Sequence, residues 1–160
     1  MLAANASPLQ TATDGASPYT LAEASGRKLV ALLVAEAAAL HAITDEEPEE
    51  LMKALRNGAY INIRNPAGWT PLMFAAHSNN AEMVREMIAM DADCNRQEND
   101  GWTALHFAAM GGFEGIVKQI LDANVDYSIQ TSDGRVARDL AAAEKFQNIV
   151  DLIPEVHSEL

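Results

Sequence analysis

The side chains of this sequence that could carry chemistry are few, and their spacing gives no enzymatic site. The four histidines stand at positions 41, 77, 106 and 157, and none is paired with a carboxylate at the helical spacing of a metal site. No glycine-rich phosphate loop and no nucleophile elbow is present. Cys94 is the one cysteine and falls at an apolar position, so we expect a small buried thiol in a reducing compartment. The sequence therefore predicts no catalytic residue, cofactor or metal.

The two tryptophans are the other candidates, and they lie in two copies of one segment. Trp69 belongs to the run GWTPLMFAA at 68–76, and Trp102 belongs to GWTALHFAA at 101–109, which begins 33 residues later. Gly134 follows at the same interval, and paired alanines recur at 75/76, 108/109 and 141/142. A fixed interval of this length indicates a repeat protein, in which each unit packs against its neighbours.

Each copy also carries the signals of a helix start. Thr70 and Thr103 stand where a hydroxyl can accept a hydrogen bond from a free amide of the first turn, and Pro71 suits the first helical position. The period of 33 and the Gly-x-Thr-Pro-Leu-His-x-Ala-Ala wording resemble the ankyrin repeat. This resemblance implies an all-α ankyrin-repeat solenoid of helix-turn-helix units with short finger loops. It also implies that His106 ties the helix starts of adjacent repeats together.

The pattern divides the chain into five segments. Residues 1–24 are rich in Ala, Ser and Thr and are predicted to be a flexible leader. A helical N-terminal cap with a degenerate repeat is predicted at 25–64, full repeats at 65–97 and 98–130, and a C-terminal capping repeat at 131–160. In the last unit Val136, Arg138 and Pro154 depart from the repeat pattern, which suits a terminal unit that faces solvent.

An apolar segment precedes the first full repeat. Leu29, Leu33 and Leu40 recur at helical spacing, which predicts one helix from 25 to about 44 that packs on the first repeat and on something else. The run is too short to span a bilayer. The acidic segment 44–50 is predicted to open the next helix, and an acidic docking patch is the alternative.

The charge of the chain favours some partners over others. With 23 acidic and 11 basic residues the formal net charge is -12, which repels nucleic acid and anionic lipid. The excess serves solubility or matches a partner protein with a basic surface, and both interpretations remain open. No basic stretch followed by an apolar one opens the sequence, so the default location is cytoplasmic or nuclear.

The resemblance also implies where a partner would bind. It places the finger loops and the first helix of each repeat on a concave surface. Trp69, Trp102 and Arg135 would form a row there with the composition of a binding hot spot, although the rings could instead serve only to pack on neighbouring fingers. We predict a protein-binding adaptor, scaffold or inhibitor, and the alternative is a constitutive subunit of a large assembly. The predicted contact residues are Pro66, Trp69, His77, Ser78, Asn99, Asp100, Trp102, Met110, Asp133 and Arg135.

Overall fold

The structure, a computed structural model, describes residues 28–123 and 125–156. Within these ranges it contains eight α-helices and no strand, so the predicted all-α class is confirmed. The predicted leader at 1–24 lies outside the described residues. The chain divides into two compact units, Met1–Ile63 and Arg64–Leu160.

The first unit contributes two of the helices, and the second contributes three pairs. The first unit holds α1 (Lys28–Thr44) and α2 (Pro48–Arg56). The second unit holds α3 (Pro71–His77), α4 (Ala81–Ala89), α5 (Ala104–Met110), α6 (Glu114–Asp122), α7 (Ala137–Ala143) and α8 (Gln147–Leu152).

Helix α1 packs on α2 through small side chains. Its buried positions are alanines and one isoleucine: Ala31, Ala35, Ala38, Ala39, Ala42 and Ile43. The predicted helix is present, but two of its leucines are not buried, since Leu29 is 70% exposed and Leu33 is 56% exposed. The alanine stripe allows close helix contact, and the larger side chains are left on the other side. The first unit therefore carries an exposed apolar face.

The loop between α1 and α2 corrects the predicted start of α2. Thr44 is the last residue of α1, and the N-cap of α2 is Glu47, followed by Pro48 at the first helical position. Proline fits there because its missing N–H has no intrahelical partner to lose. Gly58, at φ +98°, follows the end of α2 and supplies the left-handed conformation that commonly ends a helix.

In the second unit the three helix pairs stack in register. The first helices α3, α5 and α7 contact one another in sequence, and the second helices α4, α6 and α8 do the same. The core between the two layers is continuous and apolar, and it includes Leu105, Ile116, Val117, Ile120 and Ile149. This two-layer stack is what the 33-residue interval predicts.

The helix starts of the second unit follow the sequence closely. The Thr70 hydroxyl accepts from the amide of Met73 at 3.3 Å, and Asn80 caps α4 by accepting from the amide of Met83 at 3.0 Å. Each bond satisfies an amide that has no partner inside its helix. The loop residue Asn79 adopts φ +54°, a left-handed conformation that asparagine reaches more readily than most residues. Asp91, in the loop after α4, also adopts a left-handed conformation, with φ +60°.

The last helix pair uses different contacts. Val136 has no oxygen to cap α7, and its own amide instead donates to Asp139 Oδ2 at 3.1 Å. Arg138 donates to the carbonyls of Val150 and Ile153 at 2.8 and 2.9 Å, so its guanidinium binds the exposed end of α8. Helix α8 stops two residues before Pro154, as the steric restriction before proline requires.

His106 joins neighbouring repeats. The amide of Thr103 donates to its Nδ1 at 3.2 Å, so Nδ1 is an acceptor and the ring proton sits on Nε2. Nε2 then donates to the carbonyl of Arg135, 29 residues away, at 3.3 Å. The side chain is 1% exposed. The role implied for His106 by the resemblance is therefore the one that the structure shows.

Burial lowers the pKa of His106 below its usual value, because the charged imidazolium would lose its hydration. The folded protein therefore binds fewer protons at this ring than the unfolded chain does. We expect the contribution of His106 to the free energy of unfolding to be fully present above about pH 6.5 and to be lost as the pH falls from there through the pKa of the folded state. For one proton, the free energy of unfolding should change by at most about 1.4 kcal/mol per pH unit.

The measurement is chemical unfolding as a function of pH, with His106→Met as the control. Met73 holds the equivalent position one repeat earlier, and its sulfur accepts the amide of Thr70 at 3.4 Å. The methionine variant keeps an acceptor but cannot titrate, so it should lose this component of the pH dependence. An unchanged pH profile would show that the dependence arises elsewhere.

Among the described residues, none of the helices has both the length and the hydrophobicity needed to cross a membrane.

Candidate protein-binding surface

The finger loops of the second unit share one backbone pattern. The amide of Asn65 donates to the carbonyl of Trp69 at 3.1 Å, and the equivalent bonds run from Glu98 to Trp102 and from Thr131 to Arg135, both at 2.9 Å. The glycine before each of these carbonyl residues has φ between +82° and +87°. The three loops therefore present positions 69, 102 and 135 in equivalent ways.

Neighbouring fingers are also joined directly. The amide of Asn99 donates to the carbonyl of Ala67 at 3.3 Å, and the amide of Ser132 donates to the carbonyl of Asp100 at 2.8 Å. Side chains add to this connection. Asn99 Nδ2 donates to the carbonyl of Pro66 at 3.0 Å. These bonds fix the spacing of the side chains that the fingers present.

Arg64 and Gln97 occupy equivalent positions, and each side chain donates hydrogen bonds to two neighbouring fingers. Arg64 donates to the carbonyl of Gly68 in its own finger and to that of Gln97 in the next, at 3.2 and 3.0 Å. Gln97 repeats this by donating to Gly101 and Gln130 at 2.9 and 3.0 Å. Each side chain satisfies two carbonyls that lie 29 residues apart, which couples one repeat to the next.

An aromatic cluster of Trp69, His77, Trp102 and Phe107 lies on this side of the unit. The Phe107 ring contacts both indoles, with centroids 4.6 Å from Trp69 and 5.2 Å from Trp102. The imidazole of His77 meets Trp69 edge-on at 5.2 Å. The indoles are half-buried and His77 is exposed, whereas Phe107 is buried. Both tryptophans thus pack against the ring of Phe107, and part of each indole remains exposed to solvent.

A pocket opens beside the aromatic cluster, and we refer to it as the Trp pocket. Its volume is about 290 Å³. Apolar side chains make most of its wall, and two carboxyl groups complete it. The lining residues are Trp69, Glu98, Asp100, Trp102, Phe107 and Met110.

The structure brings some of the predicted contact residues together and leaves others apart. Trp69, Asp100, Trp102 and Met110 share the Trp pocket, and His77 touches the cluster beside it. The side-chain amide of Asn99 donates a hydrogen bond to the backbone carbonyl of Pro66 on the adjacent finger. Ser78 is exposed at the end of α3, where it forms the C-cap, and it lines no part of the Trp pocket.

Arg135, predicted to complete the row with the tryptophans, is held within its own finger. Its Nε and Nη2 atoms lie 2.7 and 2.6 Å from Oδ2 of Asp133. The hydrogen bond from Arg135, with a second from Thr131, lowers the pKa of Asp133. Since both side chains are exposed, the pair contributes little to stability, but it neutralises the guanidinium locally.

Comparison with models of protein families shows which family this chain belongs to. Residues 39–133 match a model described as ankyrin repeats in three copies, and this match covers more than half of the 160 residues. The chain belongs to the ankyrin repeat family. No curated protein matches it. The resemblance seen in the two tryptophan-containing segments is thus confirmed, and ankyrin repeats are in general protein-protein interaction modules.

Sequence reasoning missed two residues of the site in this ankyrin repeat protein. Phe107 gave no signal, because Phe74 occupies the equivalent position one repeat earlier and is equally apolar. Glu98 did give one. Its equivalents are Asn65 and Thr131, which are neutral, so the change to an acid at this position could have been noticed.

Cys94 is buried as predicted, at 7% exposure. Burial raises the pKa of its thiol, and the nearby carboxylate of Asp93 raises it further. The thiolate is the reactive form of cysteine, so this environment makes Cys94 a poor nucleophile. Its role is that of a small apolar side chain between the second helix and the next finger.

Proposed function

We propose that this ankyrin repeat protein is a non-catalytic adaptor, scaffold or inhibitor that binds a partner protein through the aromatic cluster and the Trp pocket. One observation carries the proposal. Two tryptophans stand at equivalent positions of adjacent fingers, and both keep part of their surface exposed beside an open pocket. Tryptophan is one of the residues enriched among the hot spots of protein interfaces.

The surroundings of the indoles support binding more than packing alone. The core of the second unit is filled by other side chains, such as Leu105 and Ile116, so the indoles are not needed to fill it. Met110, at 36% exposure, extends the apolar surface with a flexible thioether that can adapt to a partner. Exposed His77 and Asp100 give this apolar surface a polar rim, which is the usual anatomy of an interface.

Capture from native extract tests the proposal. The immobilised wild-type chain should retain a specific partner, identified by mass spectrometry, and a variant with both indoles truncated to alanine should not. Retention of the same partner by both proteins would contradict the proposal.

A specific observation favours the second candidate, a constitutive subunit of a large assembly. Leu29, Val30, Leu32 and Leu33 of α1 are each at least 38% exposed, and together they form an apolar face on the first unit. Contiguous apolar surface of this kind commonly marks a permanent contact.

The apparent mass of the native protein separates the two candidates. A reversible adaptor should migrate in cell extract partly at its own mass of 17.2 kDa, because transient complexes dissociate on dilution. The measurement is gel filtration of fresh extract with immunodetection. Residence only in a large particle would exclude the reversible adaptor and support the constitutive subunit.

A further inference from the structure

The Trp pocket combines aromatic walls with carboxyl groups that have no cationic partner. Asp100 is exposed, and its carboxylate makes no hydrogen bond or ion pair with the described residues. Glu98 is 8% exposed, so it is more than nine-tenths buried. The cations of the neighbouring fingers are engaged elsewhere, because Arg64 donates to two carbonyls and Arg135 pairs with Asp133.

The second oxygen of Glu98 is not required by the finger loop. Oε1 accepts the amides of Asp100 and Trp102 at 2.9 and 2.8 Å, whereas Oε2 has no hydrogen-bond partner among the described residues. The equivalent bond in the first finger goes to the amide oxygen of Asn65, at 2.9 Å, and in the third to the hydroxyl of Thr131, at 3.2 Å. Neutral groups therefore perform the structural role in two fingers, and the charge at position 98 is additional to it.

Oε2 of Glu98 is not sealed from solvent, so a cation that enters the pocket can reach it. A carboxylate on a largely buried side chain is stabilised by such a cation. The aromatic walls favour a cation, since the electron-rich faces of tryptophan and phenylalanine attract positive charge within about 6 Å. The volume of about 290 Å³ lies at the lower end of ligand sites. It suits a single long side chain better than a cofactor.

We propose that the Trp pocket receives a positively charged side chain, lysine or arginine, of the partner protein. The inference rests on the proposed function and specifies the chemistry of its partner. Glu98 and Asp100 supply the counter-charge, and Trp69, Trp102 and Phe107 contact the aliphatic stem and the cationic head. The excess of acidic residues in the chain favours approach of such a partner.

The test uses short peptides on the whole protein. The probes are acetyl-Gly-Arg-Gly-amide, acetyl-Gly-Lys-Gly-amide and the uncharged analogue in which norleucine replaces lysine. The chain has two tryptophans, both in the pocket, so the two indole N–H resonances and the tryptophan fluorescence report on this site alone. One side chain is expected to bind with a dissociation constant of about 1 to 10 mM.

We expect saturable shifts of both indole resonances with the arginine or the lysine peptide and none with the norleucine peptide. Shifts with only one of the two cationic peptides would identify the preferred side chain. Glu98→Gln should weaken this binding roughly tenfold and Asp100→Asn about threefold, because the first charge is buried and the second is exposed. The glutamine variant can keep both amide bonds of Oε1, so its fold should be retained.

Asp122→Asn is the matched control. It removes one exposed carboxylate at the end of α6, outside the pocket, and should leave peptide binding unchanged. Equal shifts with norleucine, no shift with either cation, or full binding by the Glu98→Gln variant would each overturn the inference. If the peptides fail while partner capture still depends on both indoles, the pocket inference is wrong and the proposed function stands.

Discussion

Replacing Gly101 with alanine is expected to lower the free energy of unfolding by about 2 to 5 kcal/mol. The residue has φ +82°, where a side chain costs about 1 to 2 kcal/mol. An added Cβ would also lie 2.9 Å from the amide nitrogen of Ser132 and 3.1 Å from backbone atoms of Thr131. Backbone cannot move aside as a flexible side chain can, so forced repacking adds about 1 to 3 kcal/mol.

Gly134→Ala is the matched control for this prediction. Gly134 has the same φ of +82° and stands in the equivalent position of the last finger. Apart from its two neighbours in sequence, no atom of the described chain lies within 4 Å of an added Cβ there. The Gly134→Ala variant should therefore lose only the free energy of unfolding that a side chain costs in the left-handed conformation, about 1 to 2 kcal/mol.

Urea unfolding followed by circular dichroism measures both variants. The difference between them isolates the close contact between the second and third fingers from the backbone conformation that both glycines share. Equal losses for the two variants would mean that the fingers do not approach as closely as the structure shows.

Truncation of Trp69 and Trp102 together is expected to abolish partner capture. An anchor at the centre of an interface contributes about 2 kcal/mol or more, so each single truncation should weaken binding roughly 30-fold. Both rings contact Phe107, so their contributions are coupled and the double variant need not equal the sum. The measurement is the dissociation constant for the captured partner with both single variants and the double variant.

The controls for this prediction separate binding from folding. Each ring pair with Phe107 is worth about 0.5 to 1.5 kcal/mol, so the double variant should lose some stability and keep its helical circular dichroism. Collapse of the fold would identify the indoles as packing residues. Met110→Ala and Met90→Ala form a matched pair, because the two side chains are 36% and 37% exposed and only Met110 lines the Trp pocket. Only the first should weaken binding.

The repeat interval was sufficient to predict the architecture of the second unit. The glycine recurs three times and the helix-start threonine twice at an interval of 33 residues, and such local signals act on the few residues beside them. For the same reason the prediction of a helix start at Thr70 and Pro71 succeeded, and α3 begins at Pro71. For α1 the sequence predicted the helix but not which apolar stripe is buried, because helical spacing fits both the leucines and the alanines, and the alanines packed inward.

The sequence by itself determined the family, the helical class and the candidate tryptophans of this protein. The tertiary structure alone decided that Phe107 joins the two indoles, that Arg135 is neutralised by Asp133 and that Glu98 keeps an unpartnered oxygen in the pocket. These facts depend on contacts between side chains of different repeats or on the geometry of a folded loop. A linear pattern records the residue at each position, whereas charge compensation and ring stacking depend on distances that exist only once the repeats have packed.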